Sequence, residues 1–290
     1  MKDLRIKRLW NGWDIAIHAA LIIFALLCIY PIVYTLAGSF SDGEDCSYGG
    51  IWLIPRVWTL DNYTTVLKDA VFWIALCNTV LRTVIGTLTG LVFTSFVAYA
   101  MSRPDLPFKR FFRAANLITM FFSGGLIPYY LVINLIGLYD SWLVYIIPSL
   151  YSVYNMIVIS SFFKNSIPEE IHESAVMDGA LEFGIWFRFY LPLAKPVLAT
   201  VGLWIAVGHW NSYMQTLMYT SRKENMWVLQ YYLMTVIQDS VIPEGGAAES
   251  VTPQTITFAT MIVSIVPIVF VYPFLQKHFA KGAVIGSLKG

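Results

Sequence analysis

The sequence predicts an all-α, polytopic membrane protein with six transmembrane helices and both termini in the cytoplasm. Three observations carry this prediction: a composition of 57% hydrophobic and 13% charged residues, six long apolar runs, and an uneven distribution of Lys and Arg. The charged fraction is roughly half that of an average soluble domain. Each apolar run exceeds the ~20 residues that cross the hydrocarbon core of a bilayer. The runs are Ile15–Phe40, Val71–Ser102, Ala114–Tyr139, Ser141–Phe163, Pro196–Ser221 and Ser250–Gln276.

The first apolar run follows a short N-terminal segment, residues 1–14, and is predicted to stay in the protein as a span. Ala37-Gly38-Ser39 resembles a signal-peptide cleavage site, but the run is too long for the apolar core of a signal peptide. The second run is about ten residues longer than a bilayer requires. Its start is therefore predicted to lie along the outer surface, which would put Arg82 towards the outer leaflet. The six runs form one transmembrane domain, residues 15–279, with a C-terminal tail at residues 280–290.

The distribution of basic residues predicts the orientation, because Lys and Arg concentrate in short cytoplasmic loops. With the N-terminus inside, 14 of the 19 Lys and Arg fall in inner segments and four in outer segments. Both termini are thus predicted to be cytoplasmic. The two longest outer segments are residues 41–70 and 222–249. The stretch RVWTLDNYTTVL predicts an amphipathic helix that begins at Thr59 or Asp61, and VIPEGGAAESVTP is typical of an irregular loop.

Several function classes are excluded or disfavoured. A net charge of +1 gives no case for nucleic-acid binding, and three scattered cysteines imply no disulfide framework. The chain lacks a phosphate-binding loop and the common hydrolase and zinc motifs, so we expect no enzyme and no cofactor in this chain. An ion-coupled carrier would need paired ionisable groups near the midplane. Only Arg82 and His209 qualify, and no span contains an acidic partner. The four histidines are expected to pack or lie at interfaces.

The loop between the fourth and fifth runs, residues 166–192, is the longest charged island. Ser166-Ile167-Pro168-Glu169 has the spacing of a capping box, which predicts a helix start there. Ile167, Ile171 and Ala175 would then share one apolar face. Gly179 stands where a helix ends in a left-handed residue, and EFGIWFRFYLP predicts a second helix that is closed by Pro192 and Pro196. The alternative is an interfacial helix anchored in lipid by Trp186, Phe187 and Phe189.

This loop resembles the EAA loop of ABC importer permeases, written E-A-A-x3-G-x9-I-x-L-P. Glu173-Ser174-Ala175, Gly179 and Phe189-Tyr190-Leu191-Pro192 match it at the correct spacing, with Ser for the second letter and Phe for the Ile. The stretches MSRPDLPFKRFF, MFFSGGLIPYYLVINLIGL, GHWNSY and KGAVIGSLKG are similar to those of the MalG-like carbohydrate-uptake permeases, and among them to oligosaccharide permeases of the LplC/YtcP type. The likeness covers essentially the whole chain.

The resemblance implies an ABC type I importer permease fold in the bacterial plasma membrane and several partners. These are a second permease subunit, two cytoplasmic ATPase subunits that bind ATP and Mg, an extracellular solute-binding lipoprotein, and an oligosaccharide substrate. It also implies that the EAA loop docks on an ATPase and couples ATP-driven closure to movement of the membrane helices. The residues expected to contribute are Glu169, Glu170, Glu173, Ser174, Ala175, Asp178, Gly179, Leu191 and Pro192.

A path for sugar through the membrane needs aromatic faces for the rings and amide or hydroxyl groups for their OH groups. Candidate residues are Tyr129, Tyr130, Asn134, Asn155, His209, Trp210, Asn211, Tyr213 and Gln215. The same residues could instead join helices or anchor span ends. Gly124 and Gly125, followed by Pro128, predict a break in the third span, which is either a packing kink or a hinge for alternating access. The residues leave open a solute other than sugar, such as a peptide, and an ion-coupled carrier that works alone.

Overall fold

The computed structural model describes residues 12–239 and 251–287, with side chains described up to residue 238 and from 251 to 270. Residues 1–11 of the predicted N-terminal segment, residues 240–249 of the predicted outer segment and the last three residues of the predicted tail lie outside the described residues. Within the described ranges the chain is helical, with one isolated bridge between Ser41 and Trp58. The helices are α1 (Gly12–Ser39), α2 (Gly43–Ser47), α3 (Asp61–Lys68), α4 (Ala70–Ser102), α5 (Lys109–Phe121), α6 (Leu126–Leu135), α7 (Val153–Ser166), α8 (Glu169–Met177), α9 (Glu182–Leu193), α10 (Lys195–Asn211), α11 (Leu229–Asp239) and α12 (Pro253–Ser287).

Shorter helical turns complete the chain. The α9 helix contains a π-helical turn at Trp186–Tyr190. Turns of 3-10 helix lie at Trp142–Tyr145, Ile147–Ser149 and Glu224–Met226, and a second π turn lies at Thr216–Thr220. Residues 212 and 213 separate that π turn from α10. The predicted fifth span is therefore one helix up to Asn211 and is interrupted there.

Three helices are long and apolar enough to cross a bilayer: α1, α4 and the part of α12 at Pro253–Phe270. Three further spans are possible if each sharply bent pair counts as one: α5 with α6, the Trp142–Ser149 turns with α7, and α9 with α10. The bends measure 117°, 46° and 87° respectively. Each of the six apolar runs therefore overlaps one of these helices or pairs, although the fifth run begins at Pro196 and overlaps only the α10 part of its pair.

The break between α5 and α6 occurs where the glycines predicted it. Gly125 has φ +88°, a backbone conformation that residues with a Cβ rarely adopt. Pro128 lies in the first turn of α6, where its missing N–H removes no helical hydrogen bond. Both glycines therefore lie in the segment that separates the two helices, and the proline lies within the second helix.

The described chain divides into two compact units. The first contains residues 12–69, 235–239 and 251–265. In it, Asn62 of α3 donates hydrogen bonds of 3.0 and 2.8 Å to the carbonyls of Ser39 and Ser41. Thr59 Oγ1 accepts the Asp61 N–H at 3.1 Å, at the helix start that the sequence predicts. The predicted amphipathic helix is thus present and is held to the end of α1.

The second unit, residues 70–234 and 266–287, contains the main apolar core. Its α4 helix packs closely on α10 because small residues lie at the crossing: a Cβ on Gly86 would come within 2.3 Å of His209 Nε2, and one on Gly202 would meet Leu91 at 3.4 Å. Closely packed helices of this kind are typical of membrane proteins. A buried cluster from α4, α7, α8, α9 and α10 continues this core to the loop at residues 166–192.

Candidate functional site: the loop at residues 166–192

The α8 helix begins at Glu169, with Pro168 at the N-cap in extended conformation, φ −60° and ψ 141°. No side-chain hydrogen bond caps this end, so the predicted capping box of Ser166 and Glu169 is wrong. The reason is that α7 continues through Ser166. A helical Ser166 cannot adopt the extended backbone of an N-cap residue.

The end of α8 confirms the predicted left-handed glycine. Gly179 has φ +77°. Its N–H donates to the Val176 carbonyl at 2.9 Å, and the Ala180 N–H donates to the Ala175 carbonyl at 3.0 Å. These two bonds form a Schellman motif, which satisfies the last carbonyls of the helix. A sharp turn therefore connects α8 to α9, which begins at Glu182.

The two faces of α8 differ in chemistry. Ala175 is buried and, with Ile167 and Ile171, packs into the apolar core, as the predicted apolar face requires. The opposite face is exposed and acidic: Glu169, Glu170, Glu173, Ser174, Asp178 and Gly179. Leu191 is half-buried and Pro192 exposed at the far end of α9. The small side chain of Ala175 therefore allows α8 to approach its own core, and the surface open to a partner is formed by the acids together with the exposed side chains of Val176 and Met177.

A polar network lies beneath this helix. His172 is buried on the inner face of α8, where its Nδ1 is 2.9 Å from Arg103 Nη2. The other ring nitrogen, Nε2, lies 3.0 Å from Glu182 Oε1, and Tyr99 OH donates to Glu182 Oε2. Arg103 follows the last residue of α4, so one histidine joins three parts of the chain: α4, α8 and the start of α9.

The contact with Arg103 determines which ring nitrogen of a neutral His172 carries the hydrogen. A guanidinium carries only donors, so Nδ1 of His172 must accept, and the hydrogen of the neutral ring must be on Nε2. That hydrogen points at Glu182, where it can be donated to a carboxylate. The neutral Nε2–H tautomer of His172 thus satisfies both neighbours at once.

Arg103 has further partners on its other edges. Its Nη2 is 3.5 Å from Glu169 Oε1 and its Nε is 3.6 Å from Asp105 Oδ1. Nη1 donates to Tyr190 OH at 3.4 Å. The Arg103 side chain is 12% exposed, whereas the side chains of Glu169 and Asp105 are more than half exposed. Arg103 is therefore the buried centre of the network, with acids at its solvent side.

Aromatic side chains fix α9 against α4 and α7. Trp186 is buried, with its ring centroid 5.2 Å from that of Phe96. Tyr190 packs edge-on against Tyr99 at 4.7 Å and Phe163 at 5.3 Å. Such edge-to-face pairs are favourable beyond the area they bury. The alternative of Trp186 as a lipid anchor is wrong, since this side chain lies in the core, although Phe187 and Phe189 are exposed.

Sequence reasoning missed Tyr99, Arg103, His172, Glu182 and Tyr190. One signal was available: His172 lies three residues before Ala175 and one after Ile171, so it falls on the face that was predicted to be apolar. A polar residue on the apolar side of a helix needs a partner when buried. The identity of that partner, 69 positions away in the chain, had no sequence signal.

The candidate solute residues divide into buried and exposed groups. His209 and Trp210 are buried on α10, Asn155 is buried on α7, and Tyr130 stacks on Tyr219 at 5.7 Å. Gln215 accepts a 2.5 Å hydrogen bond from Arg82. The exposed candidates are Tyr129, Asn134, Asn211 and Tyr213. The structure thus gives five of the predicted residues a role in packing within the chain and leaves four with an exposed side chain.

Arg82 is the centre of the buried polar group at the end of α10. Its guanidinium donates to the Ser212 carbonyl at 3.1 Å and lies 4.6 Å from the centroid of the Tyr145 ring. Together with Gln215 these contacts provide a carbonyl, an amide and an aromatic face for a buried cation. The interruption of the helix at residue 212 supplies the carbonyl, because only a break leaves one unpaired.

These features define a class: a polytopic helical membrane protein with a supported helix-turn-helix between two apolar helices. The chain belongs to the family described as binding-protein-dependent transport system inner membrane component, which matches residues 74–284. It is therefore an integral membrane permease of an ABC importer and not an enzyme, as the sequence predicts. It works with a solute-binding protein outside the membrane.

Two curated relatives and one solved structure cover nearly the whole chain. The polygalacturonan/rhamnogalacturonan transport system permease protein YtcP of Bacillus subtilis (strain 168) is 37% identical over 96% of this chain and 98% of its own. Protein LplC of the same organism is 37% identical over 91% of this chain and 90% of its own. A chain in the crystal structure of a bacterial ABC transporter involved in the import of the acidic polysaccharide alginate is 35% identical. That match has a TM-score of 0.87 and covers 93% of this chain and 99% of that one. The resemblance to oligosaccharide permeases is confirmed.

Proposed function

We propose that this chain is one of two permease subunits of an importer that carries an oligosaccharide across the bacterial plasma membrane. In this proposal, six spans place both termini and the loop at residues 166–192 in the cytoplasm. An extracellular lipoprotein delivers the solute, and two ATPase subunits supply ATP and Mg. The names of the relatives, which concern polygalacturonan, rhamnogalacturonan and alginate, support acidic oligosaccharides as the first solutes to test.

The observation that carries the proposal is the two-sided character of α8. Its outer face carries exposed acids such as Glu170 and Glu173, suited to charge-assisted bonds with cations of a partner. Its inner face is joined to α4 through His172 and Arg103. A force applied by an ATPase to α8 would thus reach the membrane helices through a packed and hydrogen-bonded connection. Coupling of this kind is a rigid-body switch biased by a partner.

The exposed candidates for solute contact are Tyr129, Asn134, Asn211 and Tyr213. Their exposure in the single chain supports a surface that faces either the second permease subunit or the solute path. Gly124 and Gly125 at the 117° break are proposed as a hinge for alternating access. The buried residues His209 and Trp210 are proposed to support this surface and not to bind sugar directly.

Reconstitution tests the proposal. This chain, the second permease and the ATPase, with the lipoprotein added outside, should accumulate labelled oligogalacturonide in ATP-loaded proteoliposomes, and a labelled peptide of similar size should stay out. The chain alone should move neither solute under a proton or sodium gradient. Uptake of the peptide in preference to the oligogalacturonide would assign a different solute class. Uptake by the chain alone, driven by an ion gradient, would refute the ABC mechanism.

Orientation is tested separately. A cysteine introduced at Asp178 in a chain that lacks its own three cysteines should react with an impermeant maleimide only after the cytoplasmic side is opened. Reaction in intact cells would place the loop outside and exclude ATPase docking on α8.

A further inference from the structure

Two neighbouring cavities open beside the ends of α5 and α7. One, of about 280 Å³, is lined partly by Arg113, Asn116 and Lys164. The other, of about 530 Å³, is lined partly by Lys109 and Lys164 and extends to the start of α8. Lys164 and Asn165 line both cavities. The two cavities therefore form one region with the Lys164 amine at its centre, and Glu169 of the acidic face of α8 lines the edge of the larger cavity.

This region has an excess of positive charge. Arg103 lines the larger cavity, but Glu169 and Asp105 lie within 3.6 Å of its guanidinium. Lys109, Arg113 and Lys164 form no ion pair within the part of the chain that the structure describes. The Lys109 amine instead donates to the Arg103 carbonyl. Three cations from two helices thus lie in this region without an ion-pair partner, and the carboxylates of the region, Asp105 and Glu169, flank Arg103.

The smaller cavity is amphipathic. Its charged end carries Arg113 and Lys164, with hydroxyl and amide groups beside them. The remainder of its wall is apolar, formed by Met101, Leu117, Met156 and Ile157. Beside it, at the start of α5, the rings of Phe108 and Phe111 are more than two-thirds exposed. A ligand that fits would carry a negative charge at one end and hydrocarbon at the other.

We propose that Lys109, Arg113 and Lys164 bind the phosphate of an anionic phospholipid from the inner leaflet, with its glycerol and first methylenes against Met101, Leu117 and Met156. The inner-leaflet placement depends on the proposed orientation. Basic pockets between membrane helices on the cytoplasmic side are suited to anionic head groups. Lysine and arginine bind phosphate oxygens through charge-assisted hydrogen bonds.

Charge also favours a lipid over an acidic part of the ATPase. The exposed face of α8 is acidic, so a protein surface complementary to it must carry cations. Such a surface would be repelled by Lys109, Arg113 and Lys164 a short distance away. An acidic protein segment would also leave the apolar wall of the smaller cavity uncovered, whereas a phospholipid covers both.

The test is lipid binding to the assembled transporter, with no ATP or solute present. The complex is purified in a neutral detergent and titrated with phosphatidylglycerol, with phosphatidylcholine or with inorganic phosphate, and bound lipid is counted by native mass spectrometry. We expect phosphatidylglycerol to bind in preference to phosphatidylcholine. Each cation that is removed should weaken its binding about fivefold, so Lys164→Gln, Arg113→Gln and the triple variant with Lys109→Gln form a series.

Arg110→Gln is the matched control, because Arg110 is exposed on the same helix and lines neither cavity. It should bind phosphatidylglycerol as the wild type does. If the triple variant assembles poorly, phosphatidylglycerol binding to the Lys164→Gln variant alone is compared with that of the wild type. Three results would each overturn the site. They are an equal loss of phosphatidylglycerol binding in Arg110→Gln, no preference for phosphatidylglycerol over phosphatidylcholine, and binding of inorganic phosphate as tight as that of the lipid. Loss of the ATPase from Lys164→Gln with lipid binding intact would assign the region to the ATPase instead. Lipid binding is measured without solute or ATP, so a failed oligosaccharide uptake assay does not affect it. The phospholipid site and the proposed transport function can therefore be refuted independently.

Discussion

Replacement of His172 by Ala tests whether the buried network transmits force from the loop to the membrane helices. The side chain is 8% exposed and contacts Arg103 at 2.9 Å and Glu182 at 3.0 Å. In the Ala variant, water can reach Glu182, whose side chain is 57% exposed. Arg103 is 12% exposed and loses an acceptor that water replaces poorly. A buried donor without a partner costs about 1–3 kcal/mol.

A cost of about 2 kcal/mol corresponds to roughly a 30-fold larger population in which α8 is detached from α4. The membrane spans are unchanged, so we expect the variant to insert and to assemble with its partners. ATP hydrolysis should continue, but fewer oligosaccharide molecules should enter per ATP hydrolysed. The assay is the ratio of uptake to hydrolysis in proteoliposomes, with thermal unfolding of the purified complex as a second readout.

His172→Gln is the matched control. A glutamine amide has one acceptor and one donor group, so it can accept from Arg103 and donate to Glu182. It should restore most of the transport ratio. If His172→Ala showed the wild-type ratio of uptake to hydrolysis and the wild-type unfolding temperature, the network would neither stabilise the loop nor transmit force to the membrane helices. If Gln and Ala variants were equally impaired, ring packing and not hydrogen bonding would be the cause.

Three further predictions concern other parts of the chain. Glu173→Ala should leave thermal unfolding of this chain unchanged, since the side chain is exposed. It should weaken ATPase binding by about 2 kcal/mol if the acid pairs with a buried cation. Unchanged ATPase binding in a pull-down would show that Glu173 is not part of the interface. Gly179→Ala should lower the free energy of unfolding by about 1–2 kcal/mol. The cause is the φ of +77° alone, because a Cβ there meets nothing within 4 Å. Gly179→Asn should lower it less, and equal unfolding temperatures for the wild type and both variants would contradict this. Gly86→Ala should destabilise by about 1–3 kcal/mol through overlap with the buried His209 ring, whereas Gly208→Ala has open space and should not.

Two of the candidate solute residues differ in exposure, and the structure therefore predicts different effects when each is replaced. Tyr213 is 38% exposed and Trp210 is 8% exposed. Tyr213→Ala should therefore reduce uptake at limiting oligosaccharide with little loss of stability. Trp210→Ala should lower the unfolding temperature first, because large-to-small changes in a core cost about 3–5 kcal/mol. Normal uptake by Tyr213→Ala would place the sugar site on the second permease subunit.

Local patterns were reliable guides to local structure. The apolar runs predicted the positions of the long helices, because a helix in a bilayer must satisfy its backbone internally and present apolar side chains outwards. Gly125 and Gly179 predicted a break and a helix end, because a positive φ is a property of one residue. The resemblance of the loop to the EAA motif predicted the family, since the spacing of Glu173, Gly179 and Pro192 is contained within 20 residues.

Prediction was weaker where one local pattern competes with another. Ser166 and Glu169 have the spacing of a capping box, but the preceding apolar helix extends through Ser166 and removes the cap. The predicted fifth span continued to Ser221 because the apolar composition continues, yet the helix stops at Asn211. There, Arg82 binds the carbonyl of Ser212, a contact between residues 130 positions apart.

The sequence by itself determined that this chain is a membrane protein with a helix-turn-helix between two apolar helices, because composition, hydrophobic period and glycine placement act over a few residues; the resemblance to the EAA loop supplied the permease family. Tertiary structure decided which side chains this helix-turn-helix uses. The apolar face with Ala175 was predicted, but the partners of the buried His172 were not: its tautomer depends on Arg103 at the end of α4 and on Glu182 at the start of α9. Such pairings depend on how distant helices approach each other, and that approach is set by the packing of many side chains at once.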